Sequence, residues 1–242
     1  MSLVAFDRVD DAGLDVLVRT SLRDRLLPIL IDARQAFQRF DAQPLHGGRG
    51  ATFLVDDEGE RFVVRGGRRG GLPGRFLEDL YFGRTPRVFD ELAITEELRR
   101  RGAPVVEVLA AAAQWLAPFC YRSWLVTRWV PRARTLFEWA RDERGDGARA
   151  AGFRAAGRAV RQVHEAGARH PDLNMNNLLV YDAGGATLVA VIDFDGARLA
   201  AGAADATRAL SRLRRSAHKL DPRRAVVAER DLAAFEAGYR EG

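Results

Sequence analysis

The sequence predicts an α+β fold in two parts, a small antiparallel β-sheet followed by a helical half. Three observations predict it. Short alternating apolar segments lie on either side of Asp56-Asp57-Glu58-Gly59-Glu60. After Pro131 the apolar spacing turns helical. A loop dense in Asp and Asn, from His170 to Asn177, is followed by an apolar run ending in Ile192-Asp193-Phe194-Asp195. Alternation with tight turns marks paired strands, and three-to-four-residue spacing marks helices.

The elements follow in chain order. Over residues 10–40 Leu14, Leu17, Val18, Leu22, Leu26 and Leu27 recur with some helical spacing, and Pro28 argues against one continuous helix. His46-Gly47-Gly48-Arg49-Gly50 is a glycine turn entering a strand, Ala51–Val55. Asp56–Glu60 is a hairpin turn, and Arg61–Arg65 returns as the second strand. A basic, glycine-rich stretch, Gly66–Arg75, comes next. Residues 86–101 read as a helix with Val88, Leu92 and Leu98 on its apolar side, closed by Gly102 and Pro104. Val105–Gln114 and Tyr121–Val130 are two further strands, for a sheet of about four or five. Residues 148–166 form a helix with Phe153, Val160 and Val163 on one side. Leu178–Val180 and Leu188–Ile192 flank a hairpin at Gly184-Gly185, and residues 204–220 and 224–240 close the chain as helices. The expected organisation is a single catalytic domain: an extension over about 1–40, a β-rich lobe over about 41–130, and a helical lobe over about 131–242.

Composition limits the function classes. A chain of 242 residues, 47% hydrophobic and 29% charged, can bury a core and suits a soluble globular protein. Leu26–Ile31 is too short to span a bilayer, and the opening Met-Ser-Leu-Val lacks a signal-peptide plan. Cys120 is the only cysteine, which excludes an intrachain disulfide and fits a reducing compartment. The net charge of +5 favours anionic partners. No nucleic-acid reading module is recognisable, so nucleic acid is not an expected partner.

Asp172 and Asn177 lie five residues apart on one loop, and Asp193 follows Asp172 by 21 residues at the end of the apolar run. This is the spacing of a kinase catalytic loop and its metal-binding Asp. One carboxylate must orient the acceptor hydroxyl and take its proton, a role for Asp172. A side-chain carbonyl and a second carboxylate must hold Mg²⁺ through oxygen, roles for Asn177 and Asp193. His170 is expected to buttress the loop by hydrogen bonds. Gly48 and Gly50 can let backbone N–H groups approach ATP phosphates. The kinase pattern asks for a Lys on the second strand, yet the only Lys is Lys219, so Arg65 is the substitute. Glu91 on the following helix is the chosen partner for Arg65, with Glu96 or Glu97 as alternatives. Asp195 replaces the Gly of Asp-Phe-Gly and is open to a role toward metal, substrate or Arg198. Pro171 replaces the Arg of His-Arg-Asp, and 49 residues follow Asp193. Both argue for a small acceptor rather than a docked peptide.

The ordered set resembles the bacterial lipopolysaccharide kinase family, and within it the kinases of 3-deoxy-D-manno-octulosonic acid (Kdo). The resemblance runs from about Gly48 to Leu220. It rests on Gly48-Arg49-Gly50-Ala51, Val64-Arg65 through Arg68-Arg69-Gly70-Gly71, the helix around Glu91, Leu125-Val126-Thr127-Arg128, His164-x-Ala166-Gly167, His170-x-Asp172-Leu173-Asn174 and Ile192-Asp193-Phe194-Asp195. It implies a protein-kinase-like two-lobe fold. It implies ATP-dependent phosphorylation of a Kdo hydroxyl on a lipid A precursor at the cytoplasmic face of the inner membrane. Arg68, Arg69 and Arg75 would then grip the acceptor's carboxylate and phosphates, and basic side chains would favour an anionic membrane surface. Pro171 stands where the family pattern has a small residue. A heptose or other small-molecule kinase of the same fold, or a nucleotide-binding pseudokinase, is the alternative.

Overall fold

The structure is a computed structural model that describes residues 3–11, 13–31, 43–45, 52–66, 80–143, 145–200 and 206–241. They divide into two compact units, Met1–Glu96 with Glu107–Trp129, and Glu97–Val106 with Val130–Gly242.

The first unit is built on a sheet of eight described strands. These are β1 (Phe6–Asp11), β2 (Leu14–Arg19), β3 (Gln43–Pro44), β4 (Thr52–Asp57), β5 (Glu60–Gly66), β6 (Tyr81–Phe82), β7 (Val108–Ala117) and β8 (Cys120–Arg128). The order is β1-β2-β7-β8-β5-β4-β3, every pair is antiparallel, and β6 takes the edge of β8 beyond β5. Helices α1 (Arg23–Ile31) and α2 (Arg87–Arg100) anchor two separate cores. Leu26, Ile29 and Leu30 of α1 join Val16, Val18, Phe62 and Val64, while Val88 and Leu92 of α2 join Phe6, Val108, Ala111 and Leu125. Ala110–Ala113 of β7 are all fully buried, and side chains this small let packed elements approach closely.

The first forty residues depart most from the sequence reading. Residues 14–19 are a strand, not a helix. Val16 and Val18 point inward with the two-residue alternation of a sheet, and β-branched side chains suit that surface. The first helix begins at Arg23 and runs through Pro28. The sheet exceeds the expected four or five strands because β1 and β2 join it and because β3 and β6 are too short to show a pattern. An alternating chain of ion pairs fastens the N-terminal segment in place. Asp57 and Glu60 hold Arg25, Glu60 and Glu107 hold Arg128, and Glu107 and Glu96 hold Arg19.

The second unit contains β9 (Arg134–Thr135), α3 (Leu136–Asp142), α4 (Asp146–Glu165), β10 (Ala168–Arg169), β11 (Leu178–Ala183), β12 (Ala186–Val191), β13 (Arg198–Leu199), α5 (Ala206–Leu220) and α6 (Glu229–Glu241). A reciprocal capping box between Thr135 and Glu138 starts α3. Helices α4 and α6 cross where glycine removes the side chain. A Cβ on Gly157 would lie 2.1 Å from the Phe235 carbonyl oxygen, and one on Gly238 would lie 2.1 Å from that of Arg154. The last helix starts at Glu229 rather than near residue 224. The Asp221 carboxylate accepts the N–H groups of Ala225, Val226 and Val227, which holds that stretch in a turn and its own pKa below the usual carboxylate range.

Candidate active site

Two strand pairs frame the Asp- and Asn-rich loop. At one end β10 pairs with β13, Ala168 opposite Leu199 and Arg169 opposite Arg198. At the other β11 pairs with β12, Leu178 opposite Val191. Residues 170–177 and 192–197 therefore run between shared anchors. Apolar side chains point inward: Leu173, Met175 and Phe194 are buried. Asp172 is exposed and Asn174, Asn176 and Asp193 are half-buried, while His170 and Asn177 are buried.

His170 fixes the loop's shape. Its Nδ1 accepts the Asp172 N–H (3.2 Å), so its Nε2–H donates to the Ile192 carbonyl (3.2 Å). This assigns the neutral tautomer protonated on Nε2. Burial pushes the imidazole pKa down, against weaker upward pulls from the Ile192 bond, Asp193 and Asp172. The ring packs on Phe194 with centroids 5.0 Å apart, and Arg212 of α5 donates to the His170 carbonyl (3.0 Å). Sequence reading missed Arg212, which is one arginine among many on a basic helix and has no local signature.

Asn177 closes the short helical turn Met175–Asn177, which Asn174 caps by accepting the Asn176 N–H. Its side-chain Nδ2 donates to the Asp172 carbonyl (2.9 Å), and its backbone carbonyl accepts the Ile192 N–H (3.0 Å). One residue thus joins Asp172 to the segment bearing Asp193. With the amide nitrogen engaged, Oδ1 is the end left for a ligand, and it accepts no hydrogen bond among the described residues. Asp193 has φ 66°, the left-handed region that Asp tolerates better than most residues and that is common at functional turns. The oxygen donors of Asn177 and Asp193 match the preference of Mg²⁺, which takes one or two carboxylates and completes its shell with phosphate and water. Asp195 is half-buried two residues on.

In the first unit, Arg65 of β5 binds Glu91 of α2. Its Nη2 donates to both carboxylate oxygens, at 2.5 and 2.6 Å, and the Glu91 side chain is 6% exposed. The alternative carboxylates have other partners: Glu96 takes Arg19, and Glu97 takes Arg100 and Arg101. The structure brings Asp172, Asn177 and Asp193 together in one unit and Arg65 with Glu91 in the other. Gly48, Gly50, Arg68, Arg69 and Arg75 lie outside the described residues.

An antiparallel sheet with an Arg–Glu pair, and a helical unit with this Asp, Asn and Asp loop, define a protein-kinase-like phosphotransferase. The chain belongs to the lipopolysaccharide kinase (Kdo/WaaP) family, whose model matches residues 40–239. It is 37% identical over 179 residues to a 3-deoxy-D-manno-octulosonic acid kinase of Xanthomonas oryzae pv. oryzae, covering 72% of this chain and 68% of that one. It is 30% identical over 196 residues to the protein of that name from Vibrio cholerae, covering 80% of each. Among solved structures, WaaP in complex with acyl carrier protein superposes with a TM-score of 0.60 over 94% of this chain and 89% of that one, at 17% identity. That likeness is one of fold.

Proposed function

We propose that this protein is an ATP-dependent kinase that phosphorylates a hydroxyl of Kdo in the lipopolysaccharide inner core. The observation that carries the reading is the Asn177 bridge between Asp172 and the Asp193 segment, in a chain whose relatives bear the name Kdo kinase. Asp172, exposed at the tip of the loop, orients the acceptor hydroxyl and receives its proton. The hydroxyl oxygen forms its bond to the γ-phosphorus as the bond to the β-phosphate oxygen breaks and ADP leaves. Asn177 Oδ1 and the Asp193 carboxylate hold Mg²⁺. When bound, that ion neutralises charge on the phosphate oxygens. Arg65, steadied by Glu91, grips phosphate in place of the usual Lys. Gly48 and Gly50 cover the phosphates, and Arg68, Arg69, Arg75 and Asp195 contact the acceptor. The chain works as one catalytic domain. It acts from the cytoplasmic side as a peripheral protein on the anionic inner membrane, and no described helix is long and apolar enough to cross it.

The test is acceptor profiling with labelled ATP on Kdo-lipid A, heptose-terminated core and an aminoglycoside. Phosphate is expected on Kdo, and transfer to heptose alone would overturn the assignment. Asp193→Asn, which keeps a residue suited to the left-handed φ of that position, is expected to lower kcat by about three orders of magnitude with little change in melting temperature. Unchanged turnover in that variant would remove the metal role.

A further inference from the structure

The end of the sheet at the β7–β8 turn exposes a cluster of apolar side chains. Phe119 is 53% exposed, Phe82 53% and Leu116 47%. Phe82 lies beside Cys120 in the β6–β8 register, one residue from Phe119, and the Gly83 N–H donates to the Phe119 carbonyl at 2.9 Å. The base beneath is rigid: Tyr81 stacks on the buried Tyr121 at 5.6 Å, and Trp115 meets the same ring edge-on at 5.1 Å.

Phe119 sits where its backbone is least suited to it. It shares the two-residue turn between Ala117 and Cys120 with Pro118, and its φ is 64°, a conformation that favours glycine and that bulky side chains rarely adopt. The fold thus tolerates local strain to hold an aromatic ring in water. Arg84 stands over that ring at 5.5 Å. Residues 80–87 and 115–122 carry the exposed Arg84 and Arg87 and no acidic residue, and Glu78 and Asp79, just before them, lie outside the described residues. The neighbouring acids of the β1–β2 hairpin, Asp10 and Asp11, lie beyond β7, on the side away from β6.

The geometry points to this tip as the surface that enters the lipid–water interface of an anionic membrane, its phenyl rings and Leu116 among the acyl chains and its arginines at the phosphates. The inference rests on the proposed lipid-borne acceptor. Exposed Phe and Leu side chains gain by burial at the boundary of headgroups and acyl chains, and basic ones are drawn to anionic headgroups. A stable protein partner ordinarily covers about 800 Å² of each surface, and three side chains at a turn are a small anchor for that.

The test uses the full chain and sedimentation with vesicles of phosphatidylethanolamine and phosphatidylglycerol, beside vesicles of phosphatidylcholine. The wild-type protein is expected to prefer the anionic vesicles. Phe119→Gly and Phe82→Ser are each expected to weaken partitioning about tenfold, and Leu188→Ser, at an exposed site on β12, to leave it unchanged. Phe119→Gly relieves the left-handed strain, so its melting temperature should hold or rise, which separates lost binding from lost folding. Wild-type protein that ignores both vesicles, or variants that bind as it does, would overturn the inference. So would vesicle-independent loss of a protein partner in Phe119→Gly, which would reassign the tip to protein docking. A deacylated, water-soluble Kdo acceptor tests the proposed function separately. If the wild type fails to phosphorylate it, the Kdo assignment falls and the vesicle result stands on its own. If Phe119→Gly phosphorylates it at the wild-type rate, the tip serves access to lipid rather than chemistry.

Discussion

Arg65 holds Glu91 through one nitrogen bonded to both carboxylate oxygens. A guanidinium can do this and still present further N–H donors in a fixed plane, whereas an ammonium concentrates its donors at one point. Arg65→Lys is therefore expected to lower kcat/KM for ATP about tenfold and Arg65→Met more than about a hundredfold, read by steady-state kinetics. Wild-type kinetics in Arg65→Met would leave the pair a purely structural role. That Arg65 would pair with a carboxylate of the following helix was legible from the sequence, because strand position and charge are local properties. The choice of Glu91 over Glu96 and Glu97 was only a preference, since it depends on which face of α2 meets β5. His170 was expected to buttress the loop. Its tautomer became readable only with the Asp172 N–H and the Ile192 carbonyl in place.

At the scale of elements, the crossing of α4 and α6 depends on two glycines that each meet the backbone of the other helix. Gly238→Ala places a methyl against the Arg154 backbone and cannot be relieved by rotating a side chain. It is expected to cost about 2–3 kcal/mol, measured as loss of stability in urea. Wild-type stability would show that the helices can part freely. Helix α4 was legible from Phe153, Val160 and Val163, whose spacing marks a buried face. The crossing was not, because a glycine within a helical pattern looks the same whether it faces solvent or another backbone. The strand at Leu14–Arg19 was misread for a related reason: Leu14, Leu17 and Val18 fit a helical stripe as well as a pleated one. Only pairing with β7 on one side and β1 on the other decides between them.

Over the whole chain, acid acts first through two buried imidazoles. His164, bonded to the Tyr239 hydroxyl at 2.8 Å, has its pKa lowered from 6.5 to about 4, by burial first and by the neighbouring His170 second. Burial lowers His170 in the same direction. In the unfolded chain both imidazoles gain protons near pH 6.5, while the folded chain resists, so the unfolded state binds more protons below that pH, down to about 4 for His164. Stability is accordingly full above this window and falls as pH drops through it, by up to about 1.4 kcal/mol per unit for each imidazole. Denaturant melts at pH 7 and pH 5 should show the loss, and His164→Asn should reduce it to the share of His170. A slope as steep in that variant as in the wild type would place the acid sensitivity elsewhere.

The sequence by itself determined the phosphotransferase chemistry. Asp172, Asn177 and Asp193 occupy two short stretches joined by one hairpin, so their proximity is set largely by chain spacing. It also determined the family, through motifs carried on those same stretches. Tertiary structure decided the rest: which carboxylate holds Arg65, how the first strands join the sheet, and how Phe82 comes beside Phe119 at one edge. Those pairings join residues far apart in the chain. Whether they meet depends on how strands register and helices pack, which no local pattern of residues encodes.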